Sequence, residues 1–186
     1  MRITPADLIP DPLPLAETIQ PGTIDYAPDV RQIGPLTVKG EADRIEENRG
    51  PKDIVEDIRV RAAFIGDFEL LCARCLDPIA YHADQNFDLI FRPSGVDAEA
   101  GERAISEAET EIGYYEQNGL LLEDVVREQV LLSLPDRSLC RDDCKGICAR
   151  CGGNLNETAC NCVETEVDTR WAALQGFGAA SKSESK

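Results

Sequence analysis

The chain has 186 residues, with 35 acidic against 19 basic side chains and a net charge of −16; so negative a surface works against broad binding to phosphate backbones, which depends on lysine and arginine. Hydrophobic residues make up 42% and aromatics only 5%, enough for one modest core plus a small appendage. No run of about 18 apolar residues occurs, so no membrane-spanning helix is expected.

Residues 1–32 read as an extended, proline-rich arm. Pro10, Pro12 and Pro14 alternate with other residues, and proline removes a backbone donor and blocks helix interiors. Leu8, Ile9, Leu13 and Leu15 could dock this arm along the domain; a flexible arm is the other reading. The segment has no apolar stretch of the secretory kind. A cytoplasmic location, where thiols stay reduced, is the expectation.

Residues 33–135 read as an α+β core domain, an antiparallel β-sheet packed by one main helix. Leu36, Val38 and Ile45 mark a half-buried strand, with Gly40 suggesting a bulge. The stretch from Arg44 to Pro51 is polar and reads as a turn. Ile58, Val60 and Ala62 then share one face of a second strand, with Arg59 and Arg61 on the other. Gly66-Asp67 suggests a turn before Phe68, Leu70 and Cys72 continue the pattern. Phe87, Leu89 and Phe91 recur at period two, predicting a further strand, and neighbouring strands joined by short turns imply antiparallel pairing. Ser94 to Thr110 is small and acidic and reads as an exposed loop. A short strand is expected over 111–116. Leu121, Leu122, Val125, Val126 and Val130 recur at helical spacing, Glu123 and Asp124 favour the first turn, and Pro135 stops the helix.

Residues 136–165 form a cysteine-rich, zinc-knuckle C-terminal region, and residues 166–186 a short helix and a disordered tail. Six of the eight cysteines fall between Cys140 and Cys162, and Cys72 and Cys75 form an upstream C-x-x-C. Such pairs place two soft thiolates on one turn, and zinc takes four ligands in a tetrahedron. The favoured division puts Cys148, Cys151, Cys160 and Cys162 in one site and Cys72, Cys75, Cys140 and Cys144 in another, which would staple the sheet to the segment after the helix. A local site of Cys144, Cys148, Cys151 and Cys160, a single zinc, and dithiol redox chemistry stay open as rivals. One or two structural zinc ions are expected. Four-thiolate sites leave no open position for catalysis. His82, the only histidine, sits in a polar stretch and reads as a surface residue. No enzyme is expected.

Several motifs resemble those of one known family. Cys72-Ala73-Arg74-Cys75-Leu76-Asp77-Pro78 resembles its C-x-R-C-L-x-P element. Leu134-Pro135, Leu139-Cys140, Asp143 to Cys148 and Cys151 to Asn156 resemble its C-terminal signature, and Glu123-Asp124 to Pro135 the helix before it. Asp168 to Leu174 resembles its closing D-P-R-x-x-x-L, with Thr169 in place of proline. The family is the YceD-like group of large ribosomal RNA subunit accumulation proteins, and the resemblance runs from about residue 33 to 175. It implies an accessory role in ribosome biogenesis, needed for accumulation of large-subunit (23S) ribosomal RNA. With the charge, it implies a basic large-subunit ribosomal protein or a pre-ribosomal particle as partner. The alternatives are direct RNA binding through Arg59, Arg61, Arg74, Lys145 and Arg150, or a thiol- or zinc-responsive regulator.

Overall fold

A computed structural model describes residues 1–50, 53–96, 112–116, 118–162 and 170. The fold is built on two long strands, β4 (Leu36–Gly50) and β5 (Asp53–Leu71), paired antiparallel along most of their length. On β5 the residues Ile58, Val60, Ala62, Phe64, Phe68 and Leu70 are all buried. They share one side because side chains alternate across a strand. That face meets the helix α1 (Leu122–Ser133), which buries Leu122, Val125, Val126 and Val130 in the same core. Next to β5 lies β6 (Pro78–Pro93), antiparallel, followed by β7 (Ile112–Tyr115). The N-terminal strands are β1 (Arg2–Ile3), β2 (Leu13–Ile19) and β3 (Val30–Gln32); β8 (Leu120–Leu121) pairs with β1.

The sheet is mixed where an antiparallel one was expected. Its order is β2-β4-β5-β6-β7, with β3 on β5, and β7 runs parallel to β6. A parallel neighbour cannot be reached by a tight hairpin, so the chain between β6 and β7 must cross over. The acidic loop expected over 94–110 falls mostly in that connection and lies outside the described residues from 97 onward. So do the C-terminal helix and tail, apart from Arg170.

Residues 1–32 contribute three strands. Leu8, Leu15, Ile19 and Tyr26 are buried, while Ile9 is exposed. β2 pairs with β4 over seven residues, and Tyr26 meets Phe68 edge-on, ring centres 5.5 Å apart.

Three expected breaks are continuous strand. Arg44 to Gly50, read as a turn, completes β4. Its charges are satisfied sideways: Arg44 reaches Glu56 across the pair at 2.5 Å and Glu46 at 2.7 Å. Gly66 and Asp67 lie inside β5; a Cβ on Gly66 would sit 2.6 Å from Leu36 Cδ1. Gly40 makes no bulge, since its register with both neighbours is regular. A Cβ there would lie 2.1 Å from the Arg61 carbonyl oxygen. These glycines serve close packing, not turning.

Candidate metal centre

At the end of β5 the chain makes a tight knuckle, Cys72-Ala73-Arg74-Cys75, and returns as β6. The Leu76 N–H donates to the Cys72 carbonyl at 2.9 Å, and the Cys72 N–H to the Asp77 carbonyl at 2.9 Å. After α1 the segment carrying Cys140 and Cys144 is drawn onto this knuckle. Ala73 N–H donates to the Ser138 carbonyl at 2.8 Å, and Cys140 N–H reaches Cys72 Sγ at 3.4 Å. The Arg74 guanidinium donates to the carbonyls of Asp142 and Cys144 at 3.2 and 2.8 Å.

The four sulfurs of Cys72, Cys75, Cys140 and Cys144 lie within 4.8 Å of one another. Cys72 and Cys144 are 3.8 Å apart, and Cys75 and Cys140 3.5 Å. A tetrahedral zinc with bonds of about 2.3 Å holds its sulfurs about 3.8 Å apart, so these separations fit one ion. Cys72, Cys75 and Cys144 are buried and form a small cluster of their own with Ile79 and Leu139. The sulfurs of Cys148, Cys151, Cys160 and Cys162 also lie within 4.8 Å of one another, in a more exposed setting. All eight cysteines are free thiols. The structure thus groups the eight in two fours; Cys144 stands with Cys72, not with Cys148. Either set could hold a soft divalent ion with no position left for water, which suits a structural ion and not a catalytic one.

The two knuckles repeat each other. Cys148-Ala149-Arg150-Cys151 has the same residues as Cys72 to Cys75. Gly152 N–H donates to the Cys148 carbonyl at 2.8 Å, matching Leu76 and Cys72. The fifth residue is left-handed in both, φ +71° at Gly152 and +64° at Leu76. Glycine adopts this conformation freely. In leucine it costs on the order of 1 kcal/mol, and Leu76 is 57% exposed.

The protein's dipoles already favour thiolate at particular sulfurs. Burial alone would raise the Cys72 thiol, but the N–H groups of Cys140, Cys75 and Arg74 bring it down to about 6. The N–H groups of Cys151 and Arg150 bring Cys148 to about 6. Burial raises Cys75 and Cys140. The Cys162 thiol donates to Cys151 and Cys148, which holds its proton in place and its pKa up to about 12. Four thiols in one place cannot all ionise unless a cation joins them.

A polar chain links two ligands of the first group through the loop that follows Cys151. The Asp77 carboxylate accepts from the Cys75 thiol at 3.1 Å and from Asn154 Nδ2 at 3.1 and 3.2 Å. Asn154 Oδ1 accepts from the N–H and the Nδ2 of Asn156, both at 2.9 Å. Asn156 Nδ2 then reaches Cys144 Sγ at 3.3 Å. Asp77, Asn154 and Asn156 therefore orient ligands of the first group from beyond it, the usual role of outer-shell partners. Sequence reading placed them within motifs but gave them no role; their presence beside each C-x-x-C was the signal.

The residues considered for RNA contact are largely engaged elsewhere. Arg59 makes two bonds to Asp88, at 2.8 and 2.6 Å, and Arg61 pairs with Glu41 at 2.7 Å and Asp43 at 3.4 Å. Arg74 is spent on the knuckle carbonyls, while Lys145 and Arg150 are exposed. His82 is on the surface, its Nδ1 2.6 Å from Asp67 Oδ1. Among the described residues, no helix is long and apolar enough to cross a membrane.

The family model for the large ribosomal RNA subunit accumulation protein YceD matches residues 60–178, well over half of the chain. An uncharacterized protein of Mycobacterium bovis is 33% identical over 104 residues, 55% of this chain and 47% of the relative. An uncharacterized protein of Mycobacterium leprae is 26% identical over 105 residues, 56% and 46%. The chloroplastic large ribosomal RNA subunit accumulation protein YCED homolog 1 of Arabidopsis thaliana is 37% identical over 49 residues, 26% of this chain and 15% of that protein. The chain spans about half the length of the mycobacterial relatives. No solved structure matches.

Proposed function

Since the chain belongs to the family of large ribosomal RNA subunit accumulation proteins, we propose that it acts in that accumulation as a non-catalytic holder of a basic large-subunit ribosomal protein, free or on a pre-ribosomal particle. The observation that carries this reading is the charge. The molecule has a net charge of −16, and two of the arginines considered for RNA contact, Arg59 and Arg61, are already paired with Asp88 and Glu41. A surface of this kind attracts a basic protein, speeding encounter and rejecting anionic competitors.

In this reading zinc is structural. One ion would be held by Cys72, Cys75, Cys140 and Cys144, a second by Cys148, Cys151, Cys160 and Cys162. Bound there, the ions supply cross-linking and no reaction step. They fasten the cysteine-rich segment, 136–165, to the end of the sheet and hold the acidic surface in shape. The reading places the chain in the cytoplasm, where these thiols stay reduced.

The test is direct binding. Purified protein should bind one or more isolated basic ribosomal proteins, with affinity falling as salt rises from about 50 to 500 mM. It should bind naked 23S RNA weakly. Tight RNA binding, abolished by reversing the charge of Lys145 and Arg150, would overturn the proposal in favour of an RNA-binding knuckle.

A further inference from the structure

The knuckle at Cys72 to Cys75 holds a leucine where its twin holds a glycine. Leu76 takes the left-handed conformation that Gly152 takes after an identical Cys-Ala-Arg-Cys. The fold would be served as well by glycine, and the leucine side chain is mostly in solvent. An uncommon backbone conformation in a residue with an exposed apolar side chain points to a role outside the fold.

Leu76 stands on a groove. The groove runs between the end of β5, the start of β3 and the last turn of α1, and its apolar lining includes Val30, Leu131 and Leu134. Its charged lining residues are Asp29 and Asp136, both exposed, with no lysine or arginine among them. The groove borders the first cysteine group, since Cys72 and Ala73 also line it. An apolar trough with an acidic rim, on a molecule of net charge −16, fits a segment with a large apolar side chain flanked by lysine or arginine.

We propose that this groove is where the basic ribosomal protein docks, with Leu76 as the apolar contact and Asp29 and Asp136 as the charged rim. The inference rests on the holder reading above and adds the place of contact. If zinc holds the knuckle, it also fixes the side chain that the partner touches.

The test uses the zinc-loaded full chain and the basic large-subunit ribosomal proteins, purified and assayed one by one by fluorescence anisotropy at fixed salt. Leu76→Gly relieves the backbone strain while removing the side chain, so zinc content and melting temperature should hold or rise. Binding of the partner should weaken about tenfold or more, as expected for loss of a buried leucine contact. The double variant Asp29→Lys, Asp136→Lys should also weaken binding and flatten its salt dependence. If Leu76→Gly loses zinc, Leu76→Asn carries the test, because asparagine also tolerates the left-handed region. Equal binding by wild type and the Leu76 variant overturns the docking site and leaves the holder reading standing. Failure of every basic subunit protein to bind the wild type overturns both. A wild-type dimer that becomes monomeric with Leu76→Gly also overturns it, assigning the groove to a second copy of this chain.

Discussion

The hydroxyl of Tyr26 is buried without a hydrogen-bond partner among the described residues, while its ring packs edge-on against Phe68. Burial pushes its pKa from 10.0 to about 12. The folded value lies above the unfolded one. This group therefore leaves stability unchanged below about pH 10 and lowers it as pH climbs from 10 through 12, where ionisation favours the unfolded chain. Tyr26→Phe keeps the ring contact and removes an unsatisfied polar atom. Urea unfolding at pH 7 should show equal stability or a gain of about 1 kcal/mol, and the alkaline loss should shrink. A drop of more than about 2 kcal/mol at pH 7 would mean that the hydroxyl has a partner after all. Single residues also mark what sequence could and could not disclose. The grouping of the cysteines follows from spacing, because two C-x-x-C pairs can each seed a site. The left-handed backbone of Leu76 does not, since nothing in leucine's chemistry announces it. Only the match with Gly152 in the twin knuckle makes the position stand out.

Between strands, charge pairs replace apolar contacts at the far end of the sheet. Arg92 on β6 donates to Asp57 on β5 through Nε at 3.1 Å and Nη2 at 2.9 Å, and also contacts Glu47 on β4. Both Asp57 and Arg92 are buried. Removing one member of a buried pair strands the other, a loss of about 3–5 kcal/mol. Asp57→Ala should therefore cost about 3 kcal/mol in chemical denaturation, discounted toward the low end because Glu47 still faces Arg92. Asp57→Leu with Arg92→Met should recover much of that loss; a double variant no more stable than Asp57→Ala would show that the pair also specifies the register. The same chemistry explains which strands were legible. Ile58, Val60 and Ala62 alternate with Arg59 and Arg61 because one face meets the core, and that pattern survives in the sequence. Arg44 to Gly50 has charged residues on both faces, so its periodicity vanishes and polarity mimics a turn. β7 was legible as a strand, but its parallel pairing depends on a crossover, and local sequence carries no record of direction.

At the scale of the molecule, the apolar core and the cysteine groups are separate bodies. The core runs from Ile3 to Val130 through the sheet and helix, while Cys72, Cys75 and Cys144 cluster with Ile79 and Leu139 apart from it. Stripping the metal should then loosen the knuckles without dissolving the sheet. Protein purified without added metal should carry two zinc ions per chain. A chelator strong enough to remove them should lower the melting temperature yet leave the far-ultraviolet strand signal in place. The two sites should differ in weight. Cys75 and Cys140 are 65 positions apart, and closing a loop of that length is worth about 4 kcal/mol in the loop-entropy account. The second group spans only Cys148 to Cys162, a closure worth about 3 kcal/mol in the same account, but it is partly exposed and outside the apolar core, so it can open locally without global unfolding. Cys72→Ser should drop the zinc content by at least one and destabilise the whole chain. Cys160→Ser should drop it by one and leave global unfolding within about 1 kcal/mol. Asn156, bonded to Cys144 Sγ and to Asn154, ties the first group to the loop between Cys151 and Cys160, so loss of either ion should weaken the other site by the same factor. Competition with a coloured zinc chelator, run on each variant, measures that coupling. Collapse of the sheet on chelation would mean that the ions hold up the core itself and that the acidic surface cannot form without them.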